Sequence, residues 1–288
     1  MNLTVILILL IISSNGLSDS STNGIFDLSY PVNNLTLDWA GDQFTMNISS
    51  EQVNKGNISY WYQADTIWTP THLGTHLDAP CHFARNTWCV SDIPIERLYL
   101  RPGYVIDISH KIDSSSNPNY VLTSDDVKNW IKSIGTVKSG AVILIRTNWS
   151  KHWPDREKYF GLKSSNSDSF NFPGISVDAV NSLIALGVDL YGIGIEGPSV
   201  DNGPSEDFAT HSLLALHNIY NLENVGPLIG KLPKDNFLIT SLPMRIDSAS
   251  GSPVRIVAQL TSNSSDQIQS CFVLISLVII AITYHRNF

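Results

Sequence analysis

Thr71 to Phe83 reads THLGTHLDAPCHF, and the rest of the sequence is best interpreted outward from this segment. It holds three histidines and one aspartate within eleven positions, and each of these side chains can bind a divalent metal. One histidine alone would most often be a surface or core residue, but four potential ligands in so short a run are rare by chance. The candidates are His72, His76, Asp78 and His82.

The backbone conformation of this segment decides whether the candidates converge. In an extended chain alternate residues share a face, so all four side chains point the same way. A helix would also bring His72 and His76 together, as an i, i+4 pair. Gly74, Thr75 and Pro80 disfavour a long helix, because glycine and proline are poor in helix interiors and threonine is stiff. We predict a strand or tight loop that turns into a helix near Pro80.

The segment resembles the HxGTHxDxPxHF signature of the metal-dependent cyclase family, which includes bacterial-type kynurenine formamidase and isatin hydrolase. The likeness covers about Gly24 to Leu260, so nearly the whole chain is involved. The further stretches that carry it are FDLSYPV (26–32), DIPIERL (92–98), LIRTNWS (144–150), YGIGIEGPSVD (191–201) and SGSPVRIVAQL (250–260).

The resemblance implies a metal site assembled from two distant parts of the chain. Its implied ligands are His72, His76, Asp78, His211 and Glu223. Asp78 would be shared. It would bind a first ion together with His72 and His76, and with His211 and Glu223 it would bind a second ion, or fix a water where only one ion binds. Without the resemblance, His211 would be interpreted as a capping or core residue.

The resemblance also gives His82 a role, because the family places its general base at the fourth motif position. A divalent metal lowers the pKa of a water that it binds from about 15.7 toward 7, and a nearby imidazole can take the proton and pass it to a leaving nitrogen. The alternative is that His82 is a further metal ligand. We prefer the base.

The function implied is that of a metal-dependent amide hydrolase similar to kynurenine formamidase, which converts N-formyl-L-kynurenine to kynurenine and formate in tryptophan catabolism. Zinc is the first choice of metal for a nitrogen and oxygen ligand set and manganese the second, with one or two ions. The alternatives are an isatin, lactam or lactone hydrolase of the same family, or a non-catalytic metal-binding surface protein. The last would be marked by loss of a ligand or of His82, and neither is lost.

The order of predicted elements indicates an α/β domain. A continuous apolar run at Ala141–Thr147 is typical of a strand buried on both faces, and Leu190–Ile195 is a second strand. Helices are predicted at Thr123–Gly135, where Thr123 and Asp126 form a capping box, and from Ser176 to Gly187. Strands and helices alternate here, which favours one compact domain with a mixed central sheet, the swivelling β/β/α cyclase-like fold that the resemblance implies.

The N-terminal half of the domain is predicted to be richer in strands. Short strands are expected at Ile25–Val32 and Phe44–Asn47, joined by a loop with Trp39. The aromatic stretch Ser59–Trp68 suits a strand that leads into the histidine segment, and its aromatic rings are expected in the core or on a sheet face. A largely apolar stretch, Ser212–Leu222, is expected to begin as a helix.

Charge and missing motifs exclude several classes of function. The formal net charge of −8 and a pI near 5.4 leave no basic patch for nucleic acid. No G-x-S-x-G elbow is present, so the serine-hydrolase route lacks its signature. The remaining partners are a small, aromatic substrate and, by analogy with the family, a second copy of the chain in a homodimer or higher homo-oligomer.

Both ends of the chain suggest export and attachment to a membrane. Residues 1–18 resemble a secretory signal with a short apolar run at Val5–Ile12, and 261–288 contain a second apolar block, interpreted as a transmembrane helix or a lipid-anchor signal. We therefore predict a protein of the secretory pathway, extracellular or at the cell surface and membrane-tethered. The triplets that could accept glycans there begin at Asn34, Asn47, Asn57, Asn148 and Asn263.

Two of the three cysteines lie in or near the histidine segment, and Cys271 belongs to the C-terminal apolar block. In an oxidising compartment Cys81 and Cys89 can close a disulfide across a short loop. Equally, Cys81 lies between two candidate ligands and can contact the metal. The sequence leaves both alternatives open.

Overall fold

The computed structural model describes residues 24–113, 115–162 and 169–261. The strands are β1 (Ile25–Asp27), β2 (Thr45–Lys55), β3 (Ile58–Trp68), β4 (His76–Asp78), β5 (Arg101–Asp107), β6 (Val121–Leu122), β7 (Ala141–Arg146), β8 (Gly174–Ile175), β9 (Leu190–Ile195), β10 (Tyr220–Glu223), β11 (Phe237–Pro243) and β12 (Gly251–Leu260). The helices are α1 (Ser124–Ile134), α2 (Arg156–Tyr159), α3 (Val177–Ile184) and α4 (Ala209–Leu216).

Eight of these strands form a mixed sheet in the order β1-β12-β11-β5-β7-β9-β10-β4. The central strands β5, β7, β9 and β10 are parallel, and the pairs formed by β1, β4, β11 and β12 are antiparallel. β4 also pairs with β12, so the sheet closes on itself into a barrel-like core. The predicted α/β class with a mixed central sheet is confirmed.

The apolar strand at residues 141–146 is buried on both faces, as its sequence predicted. Ile143 and Ile145 pack in a cluster with the helices α1 and α3. Val142 and Leu144 point the opposite way and pack with Leu77 inside the closed sheet. Because successive strand residues alternate between faces, one continuous apolar run serves both layers.

The helix boundaries follow local capping chemistry in two of three predicted cases. The Thr123 side chain accepts from the backbone of Asp126, completing the predicted capping box, and Gly135 ends α1 with φ of +84°. Ser176 caps α3 as predicted. The third prediction was shifted: α4 begins at Ala209 rather than Ser212, after Phe208 in a left-handed conformation that no composition rule signals.

The largest departure from the sequence-based prediction is a long hairpin: the strand expected at Ser59–Trp68 is present, but it pairs with β2, which is much longer than the strand expected at Phe44–Asn47. β2 and β3 pair over all eleven positions, from Thr45 opposite Trp68 to Lys55 opposite Ile58. The connection is the two-residue turn Gly56-Asn57, with Gly56 at φ of +60°, the conformation that hairpin turns need and glycine permits. The aromatic rings of β3 are on a sheet face, but they are exposed rather than in the core.

Cys81 and Cys89 are joined by a disulfide, which is one of the two alternatives that the sequence left open. The bond connects the 3₁₀ turn Pro80–His82 to the residue that begins the next turn, Val90–Asp92. A sulfur held in a disulfide is not a thiolate, so Cys81 is not a metal ligand in this structure.

The predicted location of the chain, in the secretory pathway and tethered to a membrane, is wrong. No helix within residues 24–113, 115–162 and 169–261 has the length and apolar character needed to cross a bilayer. A spanning helix needs about 20 residues, whereas α1, the longest helix of the described chain, has 11 residues. The predicted signal (1–18) and residues 262–288 of the predicted anchor lie outside the described residues. Glycosylation depended on this location and is not supported either.

A buried carboxylate near the start of α1 makes the stability of the fold depend on pH. The side chain of Asp126 accepts from the Tyr120 hydroxyl at 2.7 Å and from the Thr123 amide at 3.0 Å, and it also binds the Lys111 ammonium. Burial alone would raise the pKa of Asp126, but Lys111 and Tyr120 lower it to about 2. A folded-state pKa below the unfolded value stabilises the protein above about pH 4, and this contribution is lost as the pH falls toward 2.

We therefore expect Asp126→Asn to lower the free energy of unfolding by about 1.5–3 kcal/mol at pH 7, the range for hydrogen bonds to a charged group. The difference from the wild type should shrink between pH 4 and pH 2, as measured by urea denaturation at each pH. Asp125→Asn is the matched control, since Asp125 is 84% exposed and pairs only with Lys128 at the surface. An undiminished difference at pH 2 would contradict the assignment.

Candidate metal centre

Strand pairing brings the two halves of the candidate site together. β4 carries His76 and Asp78 and lies between β10 and β12. On the β10 side, Glu223 stands directly opposite His76, and cross-strand partners in an antiparallel pair share a face. α4 is packed beside β10 and supplies His211, which reaches the same face.

His72 reaches the site from the turn that precedes β4. Its Nδ1 lies 2.7 Å from Asp78 Oδ1, and its Nε2 lies 2.9 Å from the hydroxyl of Ser250. The ring rests over bare backbone: a Cβ added to Gly251 would come within 2.4 Å of it. Glycine at 251 is therefore what allows His72 to approach the strand so closely.

Hydrogen bonds on the outer side of the site fix how two imidazoles are oriented. His76 Nδ1 lies 2.8 Å from the carbonyl oxygen of Gly74, which can only accept, so Nδ1 carries the proton. His211 Nδ1 lies 2.6 Å from Asp201 Oδ2, and Asp201 also accepts from the backbone amides of Thr210 and His211. In a neutral imidazole the other nitrogen, Nε2, then presents a lone pair to the site.

These lone pairs face carboxylate oxygens rather than donors. His76 Nε2 is 3.2 Å from Asp78 Oδ1 and 3.5 Å from Glu223 Oε2. His211 Nε2 is 3.1 Å from Glu223 Oε1 and 3.3 Å from Asp78 Oδ2. All four side chains are buried. Imidazole lone pairs and carboxylate oxygens that face one another away from water are unfavourable unless a cation or an added proton lies between them.

The pKa values of His76 and His211 indicate the same preference for positive charge in this cluster. Burial lowers the pKa of His76, but the charges of Asp78 and Glu223 outweigh it and raise the value to about 9. The pKa of His211 is raised well above its usual range, against its burial, by hydrogen bonds to Asp201, Asp78 and Glu223. The cluster therefore favours bound protons, and a divalent cation can bind the same nitrogen and oxygen atoms in their place. These residues fit a divalent metal.

The structure brings all of the predicted ligands into one cluster but groups them differently from the prediction. His76, Asp78 and Glu223 offer ligand atoms that lie within 4.8 Å of one another, and so do His72, Asp78 and His82. Asp78 is common to both groups, as expected of a shared ligand. His82, rather than His76, accompanies His72, while the individual roles stay predictions.

His82 lies at the exposed edge of the cluster, on the 3₁₀ turn that follows β4. Its ring stacks on His72 with centroids 4.1 Å apart. Burial lowers the pKa of His82 to about 4. The charge of Asp78 raises this pKa, and the charges of the neighbouring histidines lower it further. The imidazole is therefore neutral at physiological pH and able to accept a proton.

The cluster forms the floor of a cavity of about 240 Å³ with aromatic walls. Trp39, Phe83, Phe160 and Phe208 line it above the ligands. Trp39 meets Phe170 edge to face at 4.7 Å between centroids, and Phe83 lies 4.4 Å from the ring of His211. The arrangement offers a small compartment lined by aromatic rings and by the charged cluster.

Sequence reasoning missed the residues that hold these ligands in place. Asp201 belongs to the stretch YGIGIEGPSVD, yet nothing in its spacing linked it to His211. Ser250 contacts His72 across 178 positions. Asn224 donates to the carbonyl oxygen of Gly74, the same oxygen that orients His76. The one signal available was that Asp201 lies in a stretch that carries the family resemblance.

Comparisons with known proteins find relatives over most of the chain. A family model described as putative cyclase matches residues 26–202. An isatin hydrolase from Roseibium aggregatum is 27% identical over 243 residues, which covers 82% of this chain and 89% of that protein. A kynurenine formamidase from Bacillus thuringiensis subsp. konkukian is 29% identical over 241 residues, 82% of this chain and 97% of that protein. The solved structure of isatin hydrolase A from Ralstonia solanacearum superposes with a TM-score of 0.66 and 26% identity, covering 87% of this chain and 97% of the other.

The orientation of His211 by Asp201 predicts a loss of metal affinity when that carboxylate is removed. Asp201→Asn keeps the shape of the side chain but weakens its hold on Nδ1, and removing such an outer partner costs about 10–100-fold in metal affinity. Competition with a chelating dye for zinc and for manganese would measure the change. Asp178→Asn, an exposed aspartate on α3, is the control and should leave the affinity unchanged. Equal affinity of Asp201→Asn and the wild type would contradict this role.

Proposed function

The chain belongs to the putative cyclase family, and from that membership we propose that it hydrolyses the carbon–nitrogen bond of a small aromatic amide, with an aryl formamide such as N-formylkynurenine as the first candidate. The hydrolase class and the resemblance identified in the histidine segment are both confirmed by the relatives, which are isatin hydrolases and kynurenine formamidases. What remains a proposal is the substrate of this chain and the role of each residue.

The observation that carries the proposal is the position of the charged cluster beneath aromatic walls. A cavity of about 240 Å³ has room for a small ring system. Trp39 and Phe208 can stack against such a ring, and apolar walls with a few placed polar groups are typical of small-molecule sites. An amide attached to that ring would face the histidines and carboxylates of the floor.

His72, His76, Asp78, His211 and Glu223 would hold the cation. A divalent metal bound there supplies Lewis-acid polarisation of the amide carbonyl and acidifies water. Zinc suits the imidazole and carboxylate donors, and manganese suits a set with shared carboxylates nearly as well. The protein's contribution is orientation: Gly74 fixes His76, and Asp201 fixes His211.

His82 would move the proton. Its neutral imidazole borders the cavity and can accept a proton from the attacking water. The water oxygen bonds to the carbonyl carbon, the carbon–nitrogen bond breaks with its electron pair passing to nitrogen, and His82 returns the proton to that nitrogen. A formamide then yields formate and an aromatic amine, so atoms and charge balance without another reactant.

A lactam such as isatin is the second candidate, favoured by isatin hydrolases among both the sequence relatives and the structural neighbours. The same attack on a ring amide opens the ring and leaves carboxylate and amine in one molecule. The walls suit this substrate as well, because it is flat and aromatic. Only parallel assays separate the two.

We expect the metal-loaded protein to hydrolyse N-formylkynurenine, isatin or both, and His82→Ala to lower kcat by about 10²–10⁴-fold, the usual contribution of a positioned general base. Product formation would be followed by absorbance and bound metal by elemental analysis. His217→Ala removes an exposed histidine six positions after His211 and should change neither quantity.

Two outcomes would contradict the proposal. A protein that holds its metal in stoichiometric amount but turns over neither substrate is not this hydrolase. A His82→Ala variant that loses metal together with activity would make His82 a ligand, as its grouping with His72 and Asp78 allows.

A further inference from the structure

Trp39, an aromatic wall of the cavity, lies in the irregular connection between β1 and β2. On one side the chain is attached to the histidine segment by an isolated antiparallel bridge, in which Asp38 stands opposite Leu73. On the other side, residues 40–44 contain no helix or strand before β2 begins. The bridge therefore fixes the backbone beside Trp39 at one point only.

Arg156, the first residue of α2, supplies a second attachment. Its Nη1 donates to the carbonyl oxygen of Asp38 at 2.5 Å, and its Nη2 donates to that of Trp39 at 2.9 Å. No other hydrogen bond to either oxygen is found within the described residues. The planar guanidinium thus binds two successive carbonyl groups as a fork, which a lysine ammonium does not reproduce.

The same guanidinium also contacts a second wall of the cavity. Its central carbon lies 4.7 Å from the ring centroid of Phe160, a cation–π distance. Phe160 and Trp39 both line the cavity and meet edge to face at 5.8 Å between centroids. The preceding carboxylate, Asp155, pairs with Lys158 instead. Arg156 is therefore committed to the two aromatic walls, which come from separate segments of the chain.

We propose that Arg156 is a positioning residue for the substrate: it fixes the Trp39 backbone against Phe160, so that the wall is in place for a flat ring to stack on. This inference rests on the proposed function and deepens it by naming how the site recognises the ring. Arg156 itself does not line the cavity and lies outside the charged cluster, so it acts on binding rather than on the chemical step. Loss of an interaction that supports ground state and transition state alike raises KM and leaves kcat unchanged.

The test is Arg156→Ala in the metal-loaded full chain. We expect KM for N-formylkynurenine or isatin to rise by about 3–10-fold, the range for losing an ordered aromatic contact, with kcat within about twofold of the wild type. Lys158→Ala removes an exposed cation of the same short helix and should change neither constant. Free guanidinium at about 10 mM, far below the molar concentrations that unfold proteins, should restore KM, whereas methylammonium should not.

A double-mutant cycle shows whether Arg156 acts through Trp39. Trp39→Ala should raise KM at least as much as Arg156→Ala does, and the double variant should raise it no further, because two residues that act as one unit are not additive. Arg156→Lys covers the case in which Arg156→Ala does not fold. It keeps the charge and the aliphatic stem but loses the fork, so its KM should rise in the same direction.

Binding of indole, a flat ring with no amide bond to cleave, separates this inference from the proposed function. Calorimetry should show that Arg156→Ala weakens indole binding by the same factor of about 3–10 and that Lys158→Ala does not. Turnover of neither substrate, together with indole binding that depends on Arg156, would count against the proposed function alone.

Three results would overturn the inference itself. The first is wild-type KM and wild-type indole affinity in Arg156→Ala, and a wild type that binds no indole counts equally. The second is a fall in kcat with KM unchanged, which would place Arg156 in the chemical step. The third is additive effects of Arg156→Ala and Trp39→Ala, which would mean that the two residues act independently.

Discussion

The architecture of the site depends on one electrostatic constraint: buried imidazole lone pairs and carboxylate oxygens face one another with no donor between them. His76 Nε2 meets Asp78 and Glu223, and His211 Nε2 meets the same two carboxylates. Such a cluster is unfavourable in a low-dielectric interior unless positive charge occupies it. The outer hydrogen bonds that the two rings donate to Gly74 and Asp201 keep both rings in this orientation, so the cluster favours a cation by its construction.

The same short strand closes the sheet and carries the ligands. β4 has only three residues, yet it pairs with β10 on one edge and with β12 on the other. Pairing with β10 sets Glu223 opposite His76, and pairing with β12 sets Gly251 opposite Asp78, where the missing side chain leaves room for His72. Backbone register therefore fixes the separation of side chains that are up to 178 positions apart in the chain, as in His72 and Ser250.

The sequence predicted the features that depend on neighbouring residues and missed those that depend on contacts between residues far apart in the chain. The alternation that puts His76 and Asp78 on one face, the turn at Pro80 and the cap at Thr123 are set by neighbouring residues, and all were found. His211 and Glu223 entered only through the family resemblance, because no local pattern connects them to the histidine segment. Ser250 and Gly251 were missed since their role exists only after β12 pairs with β4. The strand at Ser59–Trp68 was predicted, but its pairing with β2 in an exposed hairpin was not, because its exposed aromatic rings follow the pattern of buried ones.

The same residues therefore close the sheet and form the candidate site. Side chains that suit the proposed function there are not those that would stabilise the fold most. The closed sheet would be more stable with apolar side chains in place of His76, Asp78 and Glu223, because burying a cluster of charged groups is unfavourable. Anything that binds this cluster in the folded state, and not in the unfolded one, offsets that cost by mass action. The cation required by the proposed chemistry would therefore also stabilise the closed sheet.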